Sequence, residues 1–271
     1  MARAEWGCDG GPAPYVWERE ANSMSVQPDE IDVETADGVA HAWAYRGGEG
    51  PRSAVLLYTD AYGVRPAMHE MAERIAALGY FVLLPNVFYR AGDFPPFDIA
   101  TVWSVPSERE RLMALIHSLT PERVGIDGGA YLDAIAAQRD VRKDRIGITG
   151  YCMGGRMSFL TAAKHPDRVR AAMSFHGGGL AADGPDSPHL LADRVKASVY
   201  LGVADSDRSC TPEHQGSLAT ALAAANVHYC IELYRGKKHG FAVPDNAGAY
   251  DHEAADRHWR RLRSFFGETL A

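Results

Sequence analysis

Apolar runs of strand length alternate with helix-patterned segments along most of the chain, and that alternation restricts the architecture more than any other feature. "SAVLLYT" (53–59) is nearly all apolar, as a strand covered on both faces must be. "RPAMHEMAERIAALG" follows with apolar residues at helical spacing and a stop at Gly79. The strand signal returns at "YFVLLP" (80–85), "RIGITG" (145–150), "RAAMSF" (170–175), "ASVYLGV" (197–203) and "HYCIELY" (228–234). Helical patterns occupy 107–118, 123–138, 153–165, 213–225 and 249–266. Upstream, "EIDVETADGVAHAWAYR" alternates on either side of Asp37-Gly38, which predicts a β-hairpin. This order predicts an α/β fold: one open, mostly parallel central sheet with helices on both faces. Ligands of such folds bind beyond the carboxyl ends of the strands, so chemistry is sought in the residues that follow each strand.

The 271 residues can bury a large core, and we expect residues 24–271 to form a single domain. Residues 1–23 carry Gly, Pro and charge without a period and read as a loosely ordered N-terminal extension. No apolar run approaches bilayer length and no signal-peptide core is visible, so no membrane partner and a cytoplasmic location are expected. The net charge of −7 argues against a nucleic-acid partner. Lys237-Lys238 and the cluster Arg257/Arg260/Arg261/Arg263 are interleaved with acids and histidines and read as solvated surface. Four scattered cysteines (Cys8, Cys152, Cys210, Cys230) make no disulfide scaffold.

One cysteine has a distinctive setting. Gly150-Tyr151-Cys152-Met153-Gly154 is the nucleophile-elbow pattern G-x-Nu-x-G at a strand-to-helix junction, with cysteine as the nucleophile. The turn is so tight that the residues two before and two after must lack bulk. It points the Cys152 side chain above the sheet edge, toward the N–H of Met153 and the positive end of the next helix. That end favours a thiolate and an oxyanion alike. Cys8, Cys210 and Cys230 lack this context and read as structural. Tyr151, beside the nucleophile, is a candidate for substrate contact.

A thiol nucleophile needs a base, and the base an orienting acid. "ADSDRSCTPE" follows one strand and offers Asp205 and Asp207; "RGKKHGFAVPD" follows the next and offers His239. The other ten histidines lack such placement, and His252 and His258 read as solvated positions of the C-terminal helix.

At this point the chain resembles the dienelactone hydrolase (carboxymethylenebutenolidase) family of the α/β-hydrolase superfamily. The resemblance runs from about residue 30 to the C-terminus. It rests on "YTDAYGVR", "LLPNVFYR", "GYCMGG", "GVADSDRSCTPE" and "KKHGFAVPD". It implies Cys152 as nucleophile, His239 as base and an aspartate of "ADSD" as third member: Asp207 by its place before Pro212, with Asp205 as the alternative. It implies that Asp60, where the family has glutamate, assists the thiol, and that the Ala61 N–H joins that of Met153 in receiving an oxyanion. Arg90 falls where the family has an arginine for a substrate carboxylate. A second such arginine, four residues after the histidine, is replaced by Val243, which points to a less anionic ester or lactone. The implied activity is hydrolysis of a small ester or lactone through an acyl-enzyme thioester, with neither metal nor organic cofactor. The excursion at 91–122 is expected to shape the pocket wall or a lid.

Two rival readings remain at this stage: a cysteine amidotransferase or peptidase, and a non-catalytic member of the fold that binds a small ligand. In amidotransferases the histidine is followed two residues later by an acid, whereas Gly240 and Phe241 follow His239. Neither the oligomeric state nor the exact substrate can be read from the residues.

Overall fold

The computed structural model describes residues 27–271; the N-terminal extension expected at 1–23 and Cys8 lie outside them. The predicted hairpin forms from β1 (Asp29–Thr35) and β2 (Gly38–Arg46), with Thr35 paired to Gly38 across the turn. The alternating units follow as β3 (Arg52–Tyr58), α1 (Pro66–Ala76), β4 (Phe81–Pro85), α2 (Pro106–Ser118), α3 (Pro121–Ala136), β5 (Val141–Tyr151) and α4 (Met153–Lys164). Then come β6 (Ala171–Phe175), β7 (Ser198–Ser206), α5 (Pro212–Ala224), β8 (Tyr229–Lys238) and α6 (His252–Thr269). Every strand and helix read from the sequence is present. Two short 3-10 helices, Tyr89–Ala91 and Pro188–Arg194, carry no periodicity long enough to announce them.

The eight strands form one sheet in the order β1-β2-β4-β3-β5-β6-β7-β8. β2 runs antiparallel to β1 and β4, and the pairs from β4 through β8 are parallel. After β3 the chain moves outward to β4, then crosses back to lay β5 on the other side of β3. The order therefore reverses between β3 and β5, and the crevice above that point is where an open α/β sheet receives its ligand. This is the α/β-hydrolase fold.

Strand period fixes which side chains share a face. Ala54, Leu56, Tyr58, Leu83, Ile146 and Ile148 face the core beneath α2–α5. Val55, Leu57, Val82, Leu84, Tyr151, Met173 and Phe175 face the core beneath α1 and α6. Both faces are apolar, which is why the strands read as nearly unbroken apolar runs. The helices pack closely: a Cβ on Gly128 of α3 would press against Thr161 of α4.

The basic cluster on α6 is more structured than the sequence suggests. Arg257 and Arg261 both donate to Glu232 of β8, and Tyr200 also donates to it. Burial opposes the charge of Glu232, but the two arginines and the Tyr200 hydroxyl hold its carboxyl at about 2. Among the described residues no helix is long and apolar enough to cross a membrane.

Candidate active site

β5 ends at Tyr151 and α4 begins at Met153, so the whole turn is Cys152. Its backbone adopts φ 56, ψ −120, a conformation that costs free energy for any residue with a side chain. The glycines make the turn sterically possible. A Cβ on Gly150 would collide with the Gly154 carbonyl, and one on Gly154 with the Thr59 carbonyl at the end of β3. The Cys152 N–H donates to the Phe175 carbonyl at 3.1 Å, tying the elbow to the neighbouring strand end.

His239 follows β8, and its Nδ1–H donates to Asp207 Oδ2 at 2.7 Å. Asp207 follows β7 and is held in turn by Ser209, whose backbone N–H and hydroxyl both donate to Oδ1, at 2.8 and 2.6 Å. Of the two candidate acids, then, Asp207 meets the histidine. Asp205 instead accepts the Gly236 N–H and is exposed. Cys152 lines the same cavity as His239 and favours the charged form of its imidazole. Burial works against a charge on His239, but Cys152 and Asp207 together hold the imidazole well above its ordinary value. Burial likewise works against ionised Asp207, and the bonds from His239 and Ser209 keep it below the usual carboxylate range.

Cys152, His239 and Asp207 line a cavity of about 1200 Å³, along with Asp60, Ala61 and Met153. Its far wall comes from the excursion anticipated at 91–122, through Ile99, Ala100, Trp103, Ile116, His117 and Leu119. Trp103 donates its indole N–H to the Tyr62 hydroxyl at 2.8 Å, joining that wall to the loop after β3. Among the described residues no group of three or more His, Cys, Asp or Glu could hold a metal ion.

Three of the expected residues are engaged by other partners. Asp60 reaches the cavity, but its carboxylate oxygens accept both terminal nitrogens of Arg65, at 2.7 and 2.9 Å, and the Tyr62 N–H, rather than the thiol. Burial raises its carboxyl, with the Arg65 fork pulling the other way. Arg90 does not line the cavity. Its guanidinium is bound by Asp127 at 2.6 and 2.8 Å and by Asp37 at 2.7 Å. Tyr151 falls on the α6 side of the sheet by strand alternation, and its hydroxyl pairs with His258 Nε2 at 2.8 Å. His258 is consequently a core residue instead of a solvated one, and burial pushes its imidazole down to about 3. His252 is exposed, as expected.

The residues alone did not single out His176. It sits directly after β6 with φ 41 and only 1% exposure, its ring centroid 5.1 Å from that of His239. The available signal was its place immediately past "RAAMSF", the same rule that selected His239. Ser209, Arg65 and Asp245 lay inside recognised segments, but their partners come from remote parts of the chain.

An α/β-hydrolase sheet with a cysteine, a histidine and an aspartate converging over its order reversal defines a hydrolase-fold protein, and relatives make the class specific. The chain belongs to the dienelactone hydrolase family, whose sequence profile matches residues 40–270. The carboxymethylenebutenolidase of Rhodococcus opacus is 27% identical over 230 residues, covering 82% of this chain and 83% of that protein. A Salmonella typhi protein provisionally given the same name is 26% identical over 259 residues, covering 94% of this chain and 92% of that one. Among solved structures, a provisionally named dienelactone hydrolase from Klebsiella pneumoniae superposes with a TM-score of 0.77 at 24% identity, over 90% of this chain and 99% of that one. That likeness speaks for the fold. The family makes the protein a hydrolase of the dienelactone hydrolase type, acting on a small molecule.

Proposed function

We propose that the protein hydrolyses an ester or lactone by covalent catalysis, with Cys152 as nucleophile, His239 as base and Asp207 as its orienting acid. The supporting observation is the setting of His239, bonded to Asp207 at Nδ1 and lining the same cavity as Cys152, which favours its charged form. An imidazole fixed by a carboxylate and sharing a cavity with a thiol is arranged to take the thiol proton.

The thiolate of Cys152 attacks the carbonyl carbon, a C–S bond forms and the carbonyl π pair moves to oxygen. The N–H groups of Met153 and Ala61, both on the cavity wall beside Cys152, receive that oxyanion. A single donor of this kind is worth about 3 kcal/mol of barrier. The intermediate collapses, the C–O bond breaks, and the alkoxide leaves with the proton from His239. From a lactone the freed hydroxyl stays on the acyl chain. His239 then deprotonates a water, which attacks the thioester carbonyl; collapse expels the Cys152 thiolate and gives the carboxylic acid. Asp60 acts here through Arg65, by fixing the loop that carries Ala61.

A panel of lactones and aryl esters assayed with wild type and Cys152→Ala side by side tests this reading. Intact-mass spectrometry on a slow ester should reveal an acyl adduct on wild type that hydroxylamine removes. Turnover by Cys152→Ala at the wild-type rate would end the proposal.

A further inference from the structure

His176 carries two anomalies at once. It follows β6 directly with φ 41, in the left-handed region that a residue with a side chain rarely adopts. It is also 1% exposed, and neither ring nitrogen finds a hydrogen-bond partner in any other described residue. A polar ring shut away from water in this way costs free energy, whereas a phenyl ring would not. Backbone strain of this kind collects at functional sites.

The surroundings of the ring show what its polarity can act on. Its centroid lies 5.1 Å from that of His239, the two rings meeting edge to face, and 5.2 Å from that of Phe241. Tyr151 of β5 is 5.9 Å away on the other side of the contact, so the ring sits between the elbow strand and the loop that carries the base. Phe175 accepts the Cys152 N–H through its carbonyl, and the His176 N–H donates to the Gly202 carbonyl of β7 at 2.7 Å. One residue of the pair Phe175-His176 therefore holds the backbone of the nucleophile, and the next touches the base. The titratable groups that face His176 are Tyr151, His239 and, from α6, His258. Burial first, and then the two histidines, keep its own imidazole uncharged.

When His239 takes the thiol proton, a positive charge forms against this neutral ring. Neither nitrogen of His176 is committed to a partner, so its proton can occupy the one farther from the new charge and leave a lone pair on the nearer. The contact is stronger with an imidazolium than with a neutral His239, more so at low local dielectric, and only such a differential interaction lowers a barrier.

We propose that His176 is a positioning residue of this site, whose neutral imidazole, packed against His239, stabilises the imidazolium that His239 becomes on taking the Cys152 proton. Its effect on turnover rests on the hydrolase reading above; its effect on His239 does not.

Nitrogen NMR of the histidine rings in the full chain tests this, because the signals are read without substrate. In wild type, His176 should stay neutral across the range in which His239 titrates, while its ring signals shift with that titration. In His176→Phe the His239 midpoint should fall by about one pH unit, and in His176→Asn by less, since asparagine tolerates the left-handed backbone and returns a dipole. On any ester that wild type turns over, His176→Phe should lose about tenfold in kcat with KM within about twofold, the pattern of an interaction made only in the transition state. A His239 midpoint unmoved in His176→Phe overturns the proposal and leaves His176 a packing residue, whatever the thermal stability of the variant. Should that variant fail to fold, the wild-type titration decides. A His176 that stays neutral and responds to His239 upholds the proposal; one that is charged together with His239, or whose signals ignore it, overturns it. A shifted midpoint with no ester hydrolysed by wild type would uphold the contact between the rings and count against the hydrolase reading alone.

Discussion

Arg65 donates its Nε–H to Asp245 Oδ2 at 2.7 Å while both terminal nitrogens grip Asp60, so a single side chain joins the loop after β3 to the loop that presents His239. Asp60 is 4% exposed. Removing the cation with Arg65→Met strands a buried carboxylate, which costs about 3 kcal/mol or more. Asp245 is more open to solvent, and Asp245→Asn should cost about 1 kcal/mol or less. Urea unfolding of both variants and of Asp60→Asn/Arg65→Met is the measurement. The double variant should recover much of the single-variant loss, since both charges are then gone.

The strained elbow gives a prediction about stability that is separate from activity. Cys152 holds φ 56, ψ −120, where a Cβ is penalised. Cys152→Gly should be more stable than Cys152→Ala by about 1 kcal/mol, against the usual order in which glycine is the weaker choice. Thermal unfolding of the two variants decides it; alanine proving equal or better would mean the elbow stores no strain.

Cys152→Ser tests whether the site is matched to a thiol. The fold should persist by circular dichroism, and kcat/KM on the best ester should fall about a hundredfold or more, because a hydroxyl is a weak nucleophile at its ordinary ionisation and depends far more on the base. Activity near wild type would show that the imidazole can drive either nucleophile.

His239 is held well above its ordinary value by Cys152 and Asp207 acting against burial. Asp207→Asn removes one of those supports, so the imidazole should titrate lower. Side-chain nitrogen NMR of the two proteins reads the shift directly. The sign for stability follows. A raised histidine contributes fully below its unfolded value of about 6.5 and loses that contribution as pH rises through the folded value. Wild type should therefore lose more stability than Asp207→Asn on going from pH 7 to pH 9.

His258 has the opposite sign. Burial holds it at about 3, so between about 6.5 and that value the unfolded chain binds a proton that the folded chain refuses. Stability should fall on acidification through this window by up to roughly 1.4 kcal/mol per pH unit from this group. His176 is buried and lowered in the same sense, so it adds to the slope. His258→Leu leaves the Tyr151 hydroxyl without its partner and so starts from a lower stability, but urea unfolding at pH 7 and pH 5 should show a shallower slope than wild type.

The order of strands and helices was visible because parallel strands covered on both faces must be apolar throughout and their connecting helices must be amphipathic. Cys152, Asp207 and His239 were visible for a related reason: each follows a strand, and the elbow needs glycines at fixed positions. The partners of Arg90 and Tyr151 were hidden for different reasons. Tyr151 required knowing which face the odd positions of β5 take, and Arg90 required knowing that Asp127 and Asp37, far away in sequence, would bind it first. His258 looked polar on a polar helix until its partner, on β5, was known. Pairings across long sequence separations leave no local periodicity, so charged residues were the least legible part of the site.

The far wall of the cavity is built from residues 99–119, whereas the cysteine, aspartate and histidine hang from the tips of β5, β7 and β8. Selection for a new molecule and preservation of the cysteine, aspartate and histidine can therefore act on separate stretches of chain. A lineage, or an engineer, could graft a different insert between β4 and α3 and alter the diet of this scaffold while leaving its bite alone.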